Sequence, residues 1–481
     1  MKARLAAAVA AFALGGCTLL GPDYKRPQID LPNRYPEAEA GTAAAVPVPA
    51  NWWQLYEDPL LDKLVAAGLV QNTDVKLSVA RIEEAEALLR EAAATRFPQV
   101  DASASSSRSR ASTRSGALPS GATAVRGNLQ LSANTTFEID FWGRLRRLRE
   151  AARAQYIGTR YARDVVALTL AAAISQTYFT VRSLDAQLIV SEETLKAAED
   201  SVEIARRRAE AGVVSDLDVS QAKANRAQLA AQIKDLRRLR AAAVHQLGVL
   251  TGVLDLNLVA GDLRRLPVPP LPPAGLPSTL LERRPDVREA EAALVAANAQ
   301  IGVARAAQFP TFSITGALGV QSAQLSNLFS SGAGIWSVGL GAVGPIFDAG
   351  RYAARTDQAE ARARQAALSY ERTVQNAFRE VADALSNVRL ALEAEQDLRE
   401  RVDQARNTLR LATLRYESGY SAYLEVLDAQ RTLNDAQLAL VRNRQSFLGF
   451  SVDLMNALGG GWVPYETQEG RFSLPLIEPR A

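Results

Sequence analysis

The chain has 481 residues, a near-balanced formal charge of +3, one histidine and one cysteine. Nucleic-acid-binding domains usually show a clustered basic excess, so this balance argues against a nucleic-acid partner. No metal-ligand cluster, phosphate-binding loop or Ser/His/Asp set can be assembled from the sequence. The composition therefore predicts a protein that is not an enzyme and that has no cofactor, metal or catalytic residue.

Residues 1–16 are predicted to be a signal peptide. Lys2 and Arg4 form its charged start, and an apolar stretch over 5–14 follows that is too short to span a bilayer. No other apolar run reaches about twenty residues, so no transmembrane helix is expected.

Two glycines precede Cys17, and this arrangement resembles a bacterial lipobox in which the cysteine becomes the lipidated first residue. Several acyl chains on one residue anchor a protein stably. Thr18 stands where an Asp typically retains lipoproteins in the inner membrane, so a lipid-anchored outer-membrane protein is expected. The alternative is a plain secretory signal with an incidental cysteine.

Residues 17–59 are rich in Pro, Ala and Gly and contain Trp52-Trp53 and Asp58-Pro59. They predict an extended N-terminal arm with a tryptophan anchor. A single helix is then expected from about Leu60 to Arg96, where Pro98 stops it.

Residues 129–141 alternate between apolar and polar side chains without a break, which predicts a strand with one apolar face. Such a strand spans about 40 Å, enough to cross a bilayer when tilted. Residues 99–113 form a weaker, Ser-rich partner, and the same alternation returns over 312–320 and 336–342. The pattern predicts four strands in two hairpins, at about 98–142 and 309–348.

Residues 144–210 and 351–417 are each predicted to be one continuous helix, because proline is absent from 120–266 and from 346–463. Each helix would be roughly 100 Å long. Apolar residues in steps of three and four indicate a coiled-coil stripe. Gly212 and Gly419 are expected to cap these helices, and return helices are predicted over 216–250 and 422–457.

The chain is also internally repeated. Gly-Arg at 143–144 recurs at 350–351, and the turn at 211–215 recurs at 418–421, both at an offset of about two hundred residues. The predicted organisation is a signal peptide (1–16), a lipidated arm (17–59), a first repeat (60–252), a connection (253–284), a second repeat (285–459) and a C-terminal tail (460–481).

Four strands cannot close a membrane barrel, which needs eight or more. An open sheet edge cannot lie in lipid, because its backbone groups would lack partners. If these strands enter a membrane, several chains must therefore contribute strands to one barrel. The alternative is a soluble β-sheet with one hydrated face.

The chain resembles the outer membrane factors, the TolC/OprM-like efflux channels, and specifically their NodT-type lipoprotein branch. The resemblance covers nearly the whole mature chain. It rests on these motifs: Gly21-Pro22-Asp23-Tyr24 with Arg26-Pro27, Trp52-Trp53 with Asp58-Pro59, Arg283-Arg284-Pro285-Asp286-Val287 with Glu291, Ala296-Ala297-Asn298-Ala299 with Ile301-Gly302, Phe309-Pro310, and Leu427-Asp428-Ala429-Gln430-Arg431.

The family implies a mainly α-helical fold with a membrane β-barrel part. Three copies would form a TolC-like channel with a twelve-stranded barrel, four strands per chain, and long antiparallel helices would form a periplasmic α-barrel. The implied partners are a periplasmic adaptor, an inner-membrane pump that the lipoprotein motifs place in the RND class, and outer-membrane lipid.

Two sites carry over from the resemblance. A periplasmic gate would consist of Leu424, Asp428 and Arg431, which lie on one helical face, although they could instead be ordinary interhelical contacts. The first repeat has Gln221 and Ala224 in place of the two charged residues, which leaves its contribution to the gate open. The residues expected to contact the adaptor are those of the two turns: Gly212, Val213, Val214, Ser215, Gly419, Tyr420 and Ser421.

The implied function is a passive exit duct of a tripartite efflux pump for drugs or other small solutes. A type I protein-secretion duct and a metal-ion efflux duct remain alternatives. A structural coiled-coil lipoprotein spacer is the alternative of another class, but such a spacer has no need of the alternation at 129–141.

Overall fold

The computed structural model describes residues 19–32, 34–35, 48–112, 114, 123–271 and 280–462. The predicted signal peptide, Cys17 and most of the predicted C-terminal tail lie outside these residues. The chain divides into two compact units. One contains residues up to 28 with 81–159 and 289–370, and the other contains 29–80, 160–288 and the residues from 371 onward.

The described elements comprise eight helices, four strands and three short 3₁₀ segments. The helices are α1 (Pro59–Gln71), α2 (Thr73–Ala94), α3 (Arg144–Glu210), α4 (Asp216–Thr251), α5 (Leu280–Arg283), α6 (Pro285–Ala306), α7 (Arg351–Glu417) and α8 (Tyr423–Ala457). The strands are β1 (Gln99–Arg110), β2 (Val125–Ile139), β3 (Thr311–Ser322) and β4 (Gly334–Val343), and the 3₁₀ segments are Trp52–Tyr56, Leu263–Arg265 and Leu325–Asn327.

The element order shows the internal repeat directly. The long helices α3 and α7 each have 67 residues, and the shorter helices α2 and α6 each have 22. In both halves a helix leads into a hairpin, the hairpin into a 67-residue helix, and a tight turn into a return helix.

The first helix differs from the sequence prediction, because it is broken at Asn72 into α1 and α2. Asn72 has an extended backbone, and its side-chain oxygen accepts hydrogen bonds from the amides of Asp74 (2.7 Å) and Val75 (3.3 Å). Its amide group donates to the carbonyl of Leu250 at 3.0 Å. Asparagine is a strong N-cap residue, so it ends one helix and begins the next without a glycine or proline.

The four strands form one antiparallel sheet in the order β1-β2-β3-β4. The predicted hairpins are present, and β2 and β3 join them, with Ala133 opposite Leu318. The edges of this sheet are β1 and β4, neither of which has a second strand partner among the described residues.

The register separates the sheet into two faces. One face is mainly apolar and contains these residues of β2 to β4: Leu129, Leu131, Ala133, Thr135, Phe137, Ile139, Phe312, Ile314, Leu318, Val320, Trp336, Val338, Leu340 and Ala342. On the other face, Asn134 donates to Ser103 at 2.9 Å, and Ser103 contacts Ser132 at 3.0 Å. Several apolar side chains are largely exposed in one chain, including Trp336 at 78%.

Aromatic rings cluster where the strands meet the helices. Trp142 packs 4.7 Å from Phe309, and Phe141 lies 5.8 Å from Phe312 (ring centroids). The Trp142 indole donates to the carbonyl of Pro310 at 2.8 Å. Membrane barrels typically carry aromatic rings of this kind at the two membrane–water interfaces, above and below the apolar band.

In the same unit, the start of the N-terminal arm is clamped to α3 and α6. Arg26 makes a two-pronged ion pair with Glu291, with distances of 2.6 and 2.7 Å. Gly21 has a φ of +93°, and a Cβ built on it would lie 2.5 Å from the Cα of Gly302. Gly21 and Gly302 belong to two of the family motifs, and the close approach of their backbones leaves no room for a side chain at either position.

In the other unit, the predicted coiled-coil stripes are largely buried. Val374, Val381 and Val388 of α7 are at most 4% exposed, and Ile174 and Val181 of α3 are fully buried. Half of the most apolar 18-residue segment of α3 is buried too. By length and composition alone that segment could cross a bilayer, which differs from the sequence prediction that no helix would qualify.

Candidate functional site

The turn between α3 and α4 is built by a glycine that reverses the chain. Gly212 has a φ of +73°, and its amide donates to the carbonyl of Ala209 at 2.9 Å. The amide of Val213 reaches back to the carbonyl of Arg208 at 2.9 Å. These two bonds form a Schellman motif, whose left-handed backbone glycine adopts more readily than almost any other residue.

The turn between α7 and α8 repeats the same geometry. Gly419 has a φ of +79° and donates to the carbonyl of Tyr416 at 3.1 Å. The amide of Tyr420 donates to the carbonyl of Arg415 at 2.8 Å. A Cβ built on Gly212 or Gly419 would meet nothing within 4 Å, so both turns leave open space around their glycines.

The other predicted contact residues divide between exposed and sheltered positions. Val213 and Tyr420 are 64% and 81% exposed, so both present apolar surface to solvent in one chain. Ser215 is exposed and caps α4 by accepting from the amide of Leu217 at 3.2 Å. Val214 is half-buried, and so is Ser421, whose hydroxyl has no hydrogen-bond partner among the described residues.

Arg208 joins the two turns, and the sequence interpretation missed it. Its guanidinium lies 4.6 Å from the ring centroid of Tyr416 and donates to the carbonyls of Tyr416 (3.1 Å) and Glu417 (3.2 Å). A cation at a helix C-terminus stabilises the partial negative charge there. The signal available in the sequence was a basic residue in the last turn of α3, together with its counterpart Arg415 in α7.

A small apolar cluster lies beneath the turns and fixes their positions. Its buried members are Ala205, Ala222, Ala412, Tyr416, Tyr423, Val426, Leu427 and Ala429. Half of these are alanines, so the helices approach closely. Burial, more than the charge of neighbouring Asp218, raises the pKa of Tyr423, while the charge of Arg431 lowers it.

The three predicted gate residues lie on the exposed face of α8. Leu424 is 57% exposed, and Asp428 and Arg431 are also exposed. Neither charge has an ion pair within 4 Å among the residues that the structure describes, so the two are not paired with each other in one chain. Both are available to a group outside the chain.

The equivalent face of α4 carries no such charges. Leu217 is 62% exposed and corresponds to Leu424, while Gln221 is half-buried and Ala224 is exposed. Within the described residues, no group of three or more His, Cys, Asp or Glu side chains could hold a metal ion. What the turns and the adjoining face of α8 do present to solvent is the apolar surface of Val213 and Tyr420 and the charges of Asp428 and Arg431.

Comparison with known proteins identifies the fold and the family. The outer membrane efflux protein family model matches residues 64–253 and 276–460. The chain belongs to the outer membrane efflux protein family. The two matched segments together cover most of the chain and correspond to its two structural halves.

Curated relatives are similar over almost their whole length. The chain is 38% identical over 474 residues to the probable efflux pump outer membrane protein TtgC of Pseudomonas putida strain KT2440, with 96% of each covered. It is 35% identical to the cation efflux system protein CusC of Escherichia coli K12, covering 94% of this chain and 98% of CusC.

Solved structures of outer-membrane channels share the fold. The channel OprN superposes with a TM-score of 0.86 at 30% identity, over 93% of this chain and all of that one. The open-state MtrE channel of Neisseria gonorrhoeae superposes with a TM-score of 0.79 at 30% identity. The match covers 92% of this chain and 98% of MtrE. The predicted TolC-like fold is confirmed, and the chain is an outer-membrane efflux protein that extends into the periplasm.

Proposed function

We propose that three copies of this chain form the exit duct of a tripartite efflux pump. The observation that carries the proposal is the four-stranded sheet, which has one apolar face, one polar face and two edges without a strand partner among the described residues. Three such sheets joined edge to edge give a twelve-stranded barrel. Every backbone group would then find a partner, as lipid requires.

The polar face of each sheet would line the lumen of this barrel, and the long helices of three chains would form the periplasmic α-barrel. Solutes would pass through by diffusion, and the partner pump would supply the energy. The chain would make and break no bonds, so no catalytic residue and no cofactor is needed. A covalent lipid on Cys17 would add a second attachment to the outer membrane.

The gate is proposed at Leu424, Asp428 and Arg431. In a three-fold assembly the exposed leucines would form an apolar ring, and Asp428 and Arg431 would pair with groups of a neighbouring copy. Neither charge has an ion pair with another described residue of the same chain, which supports this role. The first repeat would contribute Leu217 without the charged latch.

The exposed turns are the proposed contact with a periplasmic adaptor. Gly212 and Gly419 leave room for close backbone approach, and Val213 and Tyr420 offer apolar surface that is exposed to solvent in one chain. The inner-membrane pump is proposed to be of the RND class. The transported solutes are proposed to be drugs or other small organic molecules, since the relatives at 38% identity include an antibiotic efflux protein.

Planar-bilayer recording tests the duct. The purified protein should show discrete openings, and Asp428→Ala or Arg431→Ala should raise the open probability because each removes one partner of the latch. Asp397→Ala is a control, since Asp397 is an exposed aspartate of α7, outside the proposed gate, and has no ion pair among the described residues. Silent bilayers with the wild type and with both latch variants would reject the proposal.

A metal-ion duct is the second candidate, because CusC is a cation efflux protein at 35% identity. Deleting the gene and comparing sensitivity to antibiotics, dyes, detergents and metal cations separates the two. Sensitivity to organic compounds alone supports the first candidate, and sensitivity to metal cations alone supports the second.

A further inference from the structure

Two arginines stand at one end of the apolar face of the sheet. Arg108 pairs with Gly127 and Arg110 with Val125, so both side chains share the face that carries Leu131. Across all four described strands, these are the only charged residues on that face. A charge on an otherwise apolar barrel face requires a physical reason.

Their position along the strands gives the first part of that reason. The hairpin end of β1, where both arginines lie, is opposite the end that joins the helices. At the helix end of the sheet, Phe312 pairs with Ile139 of β2. At the other end, Arg108 pairs with Gly127 of β2. The twelve intervening steps span about 40 Å. With a strand tilt of about 40°, the height is about 30 Å, slightly more than the apolar band of a membrane barrel.

The aromatic cluster around Phe312 therefore marks one interface of the membrane, and the arginines lie at the other. Because the helices extend into the periplasm, the arginines are at the level of the outer-leaflet headgroups. A charge at this depth costs little, whereas the same charge at the bilayer centre would be destabilising.

The chemistry of the pair gives the second part. Both side chains are exposed, and neither has an ion pair among the described residues. Within the four described strands, no acidic side chain shares their face. A guanidinium matches a phosphate in a two-pronged geometry, and the two are about 7 Å apart along the strand. Edge-to-edge pairing of β1 with another copy would use backbone groups and leave this face free.

We propose that Arg108 and Arg110 bind the phosphate groups of a lipid of the outer leaflet. The proposal goes beyond the proposed duct and rests on it only for the direction in which the apolar face points. The acyl chains of that lipid would lie along the apolar residues of the same face, below the arginines.

The test compares R108Q/R110Q with R126Q in the full-length protein. Arg126 pairs with Ser109, so it is an exposed arginine at the same level on the opposite, polar face. Binding of diphosphoryl lipid A and of its dephosphorylated form is measured by native mass spectrometry in detergent. Inorganic phosphate is titrated as the competitor without acyl chains.

The double variant should bind diphosphoryl lipid A roughly tenfold more weakly, since two ionic contacts are lost and solvent-exposed ion pairs are each weak. R126Q should bind diphosphoryl lipid A as tightly as the wild type does. The dephosphorylated lipid should bind weakly to all three proteins. Inorganic phosphate should displace diphosphoryl lipid A only at a concentration far above that of the lipid. Equal binding by the double variant and the wild type, or equal loss in R126Q, would overturn the proposal. Displacement by inorganic phosphate at the concentration of the lipid would show a free-anion site and overturn the lipid assignment. Channel openings recorded for the same samples show separately whether the duct is intact.

Discussion

Removing the guanidinium of Arg147 should weaken the attachment of the N-terminal arm to the protein. Arg147 of α3 is 2% exposed, and it donates to the carbonyls of Leu20 (3.2 Å) and Gly21 (3.3 Å) and to Asp23 (2.7 Å). Arg147→Met keeps the aliphatic packing and deletes all three contacts to the arm, together with the ion pair to Glu150 of the same helix at 2.8 Å. The side chain of Asp23 is 85% exposed, so its ion pair contributes little.

Most of the expected loss of free energy comes from the two hydrogen bonds that Arg147 donates to carbonyls. Hydrogen bonds from a charged donor contribute about 1.5 kcal/mol or more each, and part of this is offset because a buried charge is also removed. A net loss of about 2 kcal/mol in the local opening free energy is expected. This corresponds to about a thirtyfold larger open population of the arm.

Native-state proteolysis measures that population. Lys25 is exposed, but cleavage after it needs a locally unfolded segment, so trypsin is expected to act on the open arm. The cleavage rate follows the open population when closing is fast. Arg149→Met is the matched control, because Arg149 lies on the same helix and has no hydrogen bond or ion pair among the described contacts. Equal cleavage rates for the Arg147 and Arg149 variants would refute the assignment of the clamp to Arg147.

Three further predictions concern other parts of the chain. Arg208→Met should speed amide exchange in the last turn of α7 by about tenfold, since it loses a C-terminal cap; Arg207→Met, whose partner is on its own helix, should not. Ala133→Arg should lower the yield of membrane-inserted protein, because a charge at mid-barrel on the lipid side costs about 2–4 kcal/mol, whereas Asn134→Arg on the polar face should insert normally and change conductance. Burial raises the folded-state pKa of Tyr423 above its unfolded value of 10.0, so its contribution to stability should be complete below pH 10 and fall as the pH rises through the folded pKa. In thermal unfolding between about pH 8 and 11, Tyr423→Phe should therefore show a smaller loss of stability than the wild type.

Features with a strong local signal could be predicted from the sequence. The alternation around Leu131 placed the strand and its apolar face, and the absence of proline predicted both 67-residue helices with the bounds that the structure has. Gly212 and Gly419 were predicted as caps because few other residues adopt that backbone, and both have a positive φ.

Features that depend on a distant partner could not be predicted. The break at Asn72 is stabilised by the carbonyl of Leu250, which is far away in the sequence. Arg208 looks like one of several arginines near a helix end, and only the fold brings it to Tyr416. The contribution of the gate residues depends on neighbouring copies, so it stays a prediction.

Native mass spectrometry of the protein released from lipid nanodiscs tests the central claim most directly, because it counts the chains in each particle. The account predicts three chains per particle, since three sheets of four strands are needed to close the barrel around the polar face. A well-folded particle that contains a single chain would contradict it.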